Sequence, residues 1–191
     1  MTTTVSLTHR VKAIDWAKRT AADLDAIYLD TETTGTGFDT EIVDIGIVDH
    51  AGHVLIDSLV KPQRSIPVEA SRVHGIYDDD VANAPAWPDI ADHVHDVIAG
   101  RYVVIYNRDY DRGILDQVNR SCGLLLPAAD WQCAMLAYAD FAGEPGKYGG
   151  FRWHKLEAAA RAFGIDPGGH RARADAEACR LVVRAMAGAT A

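Results

Sequence analysis

Three short stretches of the sequence carry carboxylates that could bind a metal ion, and one of them adds a histidine that could transfer a proton. The first, residues 30–35, reads DTETTG and lies at the end of an apolar run. Because residues i and i+2 of a strand lie on the same side, Asp30 and Glu32 would present two carboxylates on one face. Carboxylates are costly to bury unless they are paired or bind a metal, and hard oxygen ligands suit Mg²⁺ or Mn²⁺. A strand end with solvated acids is the alternative.

The second and third stretches add further acids and a histidine. The second reads YNRDYD, residues 106–111, where an apolar strand gives way to a helix. Asp109 and Asp111 are both candidates there, although the helix dipole favours acids in any first turn. The third reads HRARAD and follows a Gly-Gly pair. Asp175 is expected in the first turns of the last helix, and His170, in the loop before it, could serve as a general base.

The hydrophobic pattern predicts the elements that must position these residues. Apolar residues at spacings of three and four predict an amphipathic helix over residues 7–24. A buried strand from residue 26 to 30 and a hairpin over residues 41–60 indicate an antiparallel meander. One more strand is predicted at residues 101–106, and a mobile glycine-rich loop at residues 143–150. Further helices are expected from near Pro67 and over residues 88–99, 109–120, 153–163 and 171–187. This order predicts an α/β domain with a mixed sheet flanked by helices.

Composition narrows the classes of protein that fit. The chain has 191 residues, which suits one compact domain, and a net charge of −8. The negative charge disfavours bulk electrostatic binding to long duplexes and favours a small footprint such as a strand end. No apolar run reaches the roughly 20 residues needed to cross a bilayer, and no signal peptide is expected. Three cysteines without a CxxC pair predict reduced thiols and a cytoplasmic location.

Together the three stretches resemble the motifs of the DEDD exonucleases of the ribonuclease H-like superfamily, in their histidine subtype, to which the proofreading epsilon subunit belongs. The first matches DxExTG, and the third matches HxxxxD. The second usually reads HNxxFD, and this register selects Asp111 over Asp109. Tyr106 and Tyr110 stand where histidine and phenylalanine are usual. Residues 66–76 resemble the segment that packs on the terminal nucleotide.

The resemblance implies a ribonuclease H-like three-layer fold, with an exonuclease domain in residues 26–191 and a helical extension in residues 1–25 packed on it. It also implies a 3′→5′ exonuclease acting at single-stranded 3′ ends, with DNA somewhat favoured over RNA. The expected products are nucleoside 5′-monophosphates, and the expected cofactors are two divalent cations, Mg²⁺ or Mn²⁺. A homodimer or a polymerase partner is left open.

The same resemblance assigns roles to individual residues. His170 would be the general base. The implied metal ligands are Asp30, Glu32, Asp111 and Asp175. The implied substrate contacts are Thr33, Gly35, His74, Ile76 and Asn107. Basic residues around the motifs could hold phosphates: Arg108, Arg112, Lys147, Arg152, Lys155, Arg171 and Arg173. Tyr148, Phe151 and Trp153 could stack on bases, although a core position is equally typical of Trp153.

Three other functions compete with this interpretation. The first stretch loosely resembles the DxDxT motif of haloacid-dehalogenase-type phosphatases, but that motif requires aspartate at position 32 and leaves HxxxxD unexplained. A catalytically weak nucleic-acid-binding module of the same fold is a second reading, although all four carboxylates and the histidine are present. A polymerase-associated subunit is the third, with residues 7–24 as a candidate interface.

Overall fold

The computed structural model describes residues 2–190, and it describes side chains for residues 7–190. The elements follow the chain in the order α1 (Thr2–Ala22), β1 (Ala26–Thr33), β2 (Ile42–Asp49), β3 (Val54–Leu59), α2 (Val68–His74), α3 (Asp78–Val81), α4 (Trp87–Ile98), β4 (Tyr102–Ile105), α5 (Arg108–Ser121), β5 (Asp130–Cys133), α6 (Ala134–Ala142), α7 (Leu156–Ala162) and α8 (Ala172–Ala187). The strands form one mixed sheet in the order β3-β2-β1-β4-β5. The predicted mixed α/β architecture is confirmed.

Strand β1 lies at the centre of the sheet and carries the first acidic stretch. It pairs antiparallel with β2, where Asp30 lies opposite Gly46, and parallel with β4 on its other side. β3 pairs antiparallel with β2, which confirms the predicted meander. β2 is buried along almost its whole length, including the acid Asp44 in the middle of its apolar residues. The acidic stretch therefore lies on a strand that has neighbours on both sides.

Two hydrophobic layers hold the helices against the sheet. Tyr28 of β1 faces the layer covered by α1, α6, α7 and α8. Ile27 and Leu29 face the opposite layer, which α4 and α5 cover. This alternation follows from the two-residue period of a strand. All three side chains are at most 1% exposed, and each such burial contributes roughly 1.5–3 kcal/mol.

The boundaries differ from the predicted ones in a few places. α2 begins at Val68, one residue after Pro67. The four-residue α3 was not predicted, because it is too short for a hydrophobic period to appear. α7 begins at Leu156 rather than at residue 153, because Lys155 has an extended backbone (φ −69°, ψ 155°). α1 packs against α6 and α8, while the proposed division of the chain at residue 25 stays a prediction.

The chain was also expected to lack a membrane span. Among residues 2–190, no helix combines the length and the apolar composition that crossing a lipid bilayer requires.

The N-terminal end of α8 lies directly against β2 at Gly46. A Cβ atom at this glycine would lie 2.1 Å from the Arg173 backbone nitrogen and 2.4 Å from the Ala172 carbonyl carbon. The small side chains of α8 allow this close approach, and Ala172 and Ala176 are fully buried. The missing side chain at position 46 thus sets how closely Asp175, three residues into α8, approaches β1.

We expect Gly46→Ala to lower the free energy of unfolding by about 1–3 kcal/mol, because the added methyl group meets backbone atoms that cannot rotate away. Urea denaturation of the two proteins measures the difference. Gly113→Ala is the matched control, because Gly113 lies on the exposed face of α5 with no atom within 4 Å of its added Cβ. It should leave stability unchanged or raise it by up to about 1 kcal/mol. Equal stability of the two variants would contradict the close packing.

Candidate active site

A cleft of about 400 Å³ opens at the C-terminal half of β1. We call it the acidic cleft, because β1, α5, α7 and α8 each place at least one acid on its wall. The structure brings together in it every predicted metal ligand and the predicted base: Asp30, Glu32, Asp111, Asp175 and His170. These residues are up to 145 positions apart in sequence, from 30 to 175. Their convergence is therefore a property of the fold.

Asp111 enters the acidic cleft from the first turn of α5. Its Oδ1 accepts hydrogen bonds from the Thr31 backbone N–H at 3.1 Å and from the Thr31 hydroxyl at 2.8 Å. Asp109 has a side chain that is 75% exposed and pairs with Arg108 at 2.7 Å. Of the two candidate acids in the second stretch, Asp111 is thus the one that lies in the cleft.

Glu32, His170 and Asp175 form the tightest group in the acidic cleft. One carboxylate oxygen of each acid and one ring nitrogen of the histidine lie within 4.8 Å of one another. The Oδ1 atom of Asp175 is buried and has no hydrogen-bond partner among the described residues. It lies against Gly168, where a Cβ atom would come within 2.4 Å of it. A buried carboxylate oxygen without a partner is costly, and a cation beside it would remove that cost.

His170 lies in the loop before α8, as predicted, in a left-handed backbone conformation (φ 58°). Its Nε2 lies 3.3 Å from Oε1 of Glu157, in the first turn of α7. Glu157 also lines the acidic cleft and was not predicted as part of the site. Its only sequence signal is an acid in the first turn of a helix, which is common for dipole reasons alone.

The carboxyl groups of the acidic cleft raise one another's pKa values. Burial and then the charge of Asp175 raise the pKa of Glu32 to about 8. Burial and the charge of Glu157 raise the pKa of Asp175 to about 7. Burial and the charge of Asp111 raise the pKa of Asp30 well above its ordinary value. The cleft therefore holds more negative charge than its own residues neutralise.

Most of the predicted phosphate-binding residues are occupied elsewhere. Arg171 Nε lies 2.8 Å from Oδ2 of the buried Asp44. Arg173 Nε lies 2.8 Å from Oδ2 of Asp57 on β3. Arg108 and Arg152 pair with Asp109 and Glu144. Each of these four arginines has an acidic partner, and phosphate binding by them stays a prediction. Lys155, in contrast, lines the acidic cleft.

A second cleft of about 520 Å³ adjoins the acidic cleft, and the two share Thr31, Glu32, Asn107, Tyr110 and Lys155. Four of the predicted substrate contacts line this adjoining cleft: Thr33, Gly35, His74 and Asn107. His74 Nδ1 accepts a hydrogen bond from the Ile76 backbone N–H at 3.0 Å, while the buried Nε2 has no partner among the described residues. The Tyr110 hydroxyl donates to the Gly35 carbonyl at 2.6 Å, and this bond fixes the rim.

Ile76, the fifth predicted substrate contact, lies elsewhere. It is 3% exposed and packs in a core cluster with Val43, Ile66 and Val81. Its side chain lies outside both clefts, and its contact with a nucleotide stays a prediction. Val73, which is 57% exposed, lines the adjoining cleft together with His74.

A protein-family model described as an exonuclease matches residues 27–182. The chain belongs to this exonuclease family. The match spans all three acidic stretches, and it confirms the resemblance to the DEDD-superfamily 3′→5′ exonucleases. This exonuclease is therefore a nuclease of the hydrolase class.

Two relatives show how far the likeness extends along the chain. The chain is 42% identical over 167 residues to the uncharacterized exonuclease CP81 of Escherichia phage 186. The aligned region covers 83% of this chain and 84% of that protein. It is also 37% identical over 100 residues to DNA polymerase III subunit epsilon of Escherichia coli. That aligned region covers 47% of this chain and 41% of that protein. The chain thus spans less than half the length of the epsilon subunit that it matches.

Solved structures show the same fold. The nuclease domain of 3′hExo, a DEDDh family member bound to rAMP, has a TM-score of 0.69 at 19% identity, covering 83% of this chain and 90% of that one. Exonuclease X in complex with 5′ overhanging duplex DNA has a TM-score of 0.59 at 27% identity, and the match covers 87% of this chain and 95% of that one. Exonuclease I of E. coli in complex with a dA16 oligonucleotide has a TM-score of 0.68 at 15% identity, and the match covers 82% of this chain and 39% of that one. The ribonuclease H-like fold of this exonuclease is thereby confirmed.

The family implies a divalent metal ion, and the residues of the acidic cleft fit one. The donors are carboxylate oxygens, which Mg²⁺ and Mn²⁺ prefer. The orphaned Oδ1 of Asp175 and the uncompensated negative charge both favour a bound cation. The acidic cleft therefore supplies the oxygen ligands that a divalent metal ion needs.

Proposed function

We propose that the protein hydrolyses phosphodiester bonds at the 3′ ends of single strands and releases nucleoside 5′-monophosphates one at a time. The observation that carries this proposal is the convergence of four carboxylates and His170 in the acidic cleft. DNA is the somewhat favoured substrate, because the relatives include epsilon subunits of a DNA polymerase.

Two divalent cations, Mg²⁺ or Mn²⁺, are the proposed cofactors. Asp30, Glu32 and Asp175 would hold one of them, and Asp111 would support the other, with Asp30 shared between the two. When bound, such cations activate water and stabilise the leaving oxygen. The Thr31 hydrogen bonds to Oδ1 of Asp111 fix that carboxylate, so that it needs no reorganisation when a cation arrives.

His170 is the proposed general base. Its ring is within reach of Glu32 and Asp175, and it would accept the proton of the attacking water at Nδ1, since Nε2 faces Glu157. The position in a glycine-rich loop lets the ring move with the substrate.

The terminal nucleotide is proposed to lie in the adjoining cleft. Thr33, Gly35, His74 and Asn107 line this cleft, and it meets the acidic cleft at Thr31 and Glu32. A nucleotide seated there would place its 5′-phosphate at the carboxylates. The position of His74 on the wall of this cleft supports a contact with that nucleotide.

A time course with 5′-labelled single-stranded DNA and RNA oligonucleotides tests the proposed function. Reactions contain Mg²⁺, Mn²⁺ or EDTA, and oligonucleotides blocked by a 3′-phosphate serve as the control for end recognition. We expect a metal-dependent ladder that shortens from the 3′ end, fastest on DNA with a free end. If folded protein shortens neither oligonucleotide in either metal, a binding module of the same fold replaces the enzyme as the conclusion.

A further inference from the structure

A segment outside the helices and strands, residues 152–155, lines the acidic cleft through its last three residues. Trp153 and Lys155 are both exposed and line the cleft. His154 between them has a side chain that is only 11% exposed, and its ring meets Tyr138 edge-on at 5.4 Å between centroids. His154 also lines the cleft. The segment is thus anchored through this largely buried ring, while the exposed side chains of Trp153 and Lys155 are open to the cleft.

Backbone hydrogen bonds hold this segment in place. The Arg152 N–H donates to the Glu144 carbonyl at 2.8 Å. The Lys155 carbonyl accepts from the N–H groups of Ala158 and Ala159 at 3.1 Å, and from the Tyr106 hydroxyl at 3.5 Å. Tyr106 is the residue that replaces the usual histidine of the second motif. The segment is therefore fixed before any substrate binds, which reduces the entropy lost on binding.

Trp153 is the aromatic side chain of this region that faces the acidic cleft. It is 65% exposed, so the core position that the sequence left open is wrong. Phe151 packs against the His9 ring at 5.1 Å, and Tyr148, although 91% exposed, lies outside both clefts. An exposed indole ring beside a nuclease site offers a flat surface on which a base can stack.

Lys155 lies where the acidic and adjoining clefts meet. In contrast to the four arginines near the motifs, its ammonium group has no acidic partner within ion-pair distance among the described side chains. A cation at the junction of two clefts is positioned for a phosphate that passes from one to the other.

We propose that Trp153 and Lys155 form a subsite for the nucleotide immediately 5′ of the scissile phosphate, where Trp153 stacks on its base and Lys155 contacts the phosphate that joins it to the terminal nucleotide. This inference rests on the proposed function, which puts the terminal nucleotide in the adjoining cleft. The strand then leaves through the acidic cleft, along residues 152–155. The subsite selects single strands, because a base paired in a duplex is stacked between its own neighbours and presents no free face.

Kinetics on oligonucleotides that lack one base test the subsite. Trp153→Ala should raise KM for single-stranded DNA about 5- to 150-fold, the range expected for one lost base–aromatic stack. Trp153→Phe should restore most of this loss, because phenylalanine keeps a stacking face. Removing the base at the second position from the 3′ end should raise KM of the unmodified enzyme by a similar factor and leave Trp153→Ala unaffected. Inhibition by thymidine 5′-monophosphate, which contains the terminal nucleotide alone, should not change in Trp153→Ala.

Lys155→Ala should weaken binding on every sequence and reduce the slope of log affinity against log salt by about one. Lys12→Ala, on an exposed position of α1, is the matched control and should change neither.

The outcomes separate the subsite from the proposed function. If the unmodified enzyme shortens no strand in Mg²⁺ or Mn²⁺, the proposed function fails. If that enzyme is active but Trp153→Ala has the same KM, the subsite fails alone. A loss that follows the third base rather than the second also overturns the subsite, because the strand then runs in another register.

Discussion

We expect Asp30→Asn to lower turnover about 10³-fold or more while it stabilises the metal-free protein. The loss of turnover follows because metal ions supply several kcal/mol of transition-state stabilisation, and each 1.36 kcal/mol is a factor of ten. The gain in stability follows because Asp30 shares the acidic cleft with Glu32, Asp111 and Asp175 and no described cationic side chain pairs with it. Steady-state kinetics and thermal unfolding in EDTA measure the two effects.

The stability gain should depend on pH in a defined direction. A carboxyl group whose folded-state pKa is raised destabilises the fold once pH exceeds its ordinary value near 4, since the folded state must hold a proton that the unfolded chain releases. The pKa values of about 7 for Asp175 and about 8 for Glu32 place this loss between roughly pH 4 and pH 8. The increase in Tm for Asp30→Asn should therefore be larger at pH 8 than at pH 5. About 2–4 °C is expected per kcal/mol of repulsion removed.

Asp109→Asn is the matched control for this variant. Asp109 is an acid of the second stretch, but its side chain is 75% exposed and pairs with Arg108 outside the cleft. The turnover and the Tm of Asp109→Asn should equal those of the unmodified protein within experimental error. Equal turnover losses in both variants, or a lower Tm for Asp30→Asn in EDTA, would contradict the arrangement of charges described above.

The second large effect is expected for His170→Ala, which should lower kcat about 10²- to 10⁴-fold, the usual contribution of a positioned general base. Metal affinity should change little, because the four carboxylates remain. Titration of activity and of Tm with Mn²⁺ separates this result from that of Asp30→Asn, for which both the turnover and the metal response fall. Added imidazole should restore part of the turnover of His170→Ala, because a free base can enter the cleft left by the side chain.

His93→Ala controls for the loss of a histidine as such, since His93 is exposed on α4. It should match the unmodified enzyme with and without imidazole. An unchanged kcat for His170→Ala would remove His170 from the reaction and leave its pairing with Glu157 as its role.

The sheet could be predicted because its strands have clear patterns. The run before Asp30 and the hairpin that follows read as strands from residue types alone, and the observed pairing of β1 with β2 and of β2 with β3 agrees. The start of α7 could not be predicted, because it depends on contacts made by residues 152–155. The sequence there reads as continuous with the helix, whereas the Tyr106 and Glu144 contacts hold the segment extended.

The acids of the site could be predicted because their spacing within a strand or a helix determines the face on which they lie. The spacing of Asp30 and Glu32 requires only a strand, and the choice of Asp111 over Asp109 required the family motif as well. Glu157 was missed because nothing in the sequence relates an acid on α7 to a histidine 13 residues later. The ion pair of Arg171 with Asp44 was missed for the same reason, since 127 residues separate the two.

The position of Asp175 on α8 also bears on how the enzyme is made. Ribosomes add roughly 5–20 residues per second, so about 7–30 seconds pass between the synthesis of Asp30 and that of Asp175. Until α8 emerges, the nascent chain lacks one carboxylate of the cleft, and β1 and β2 lack the helix that packs directly against them on one face. The acidic cleft and the core layer that α8 covers are therefore completed by the same late segment of the chain.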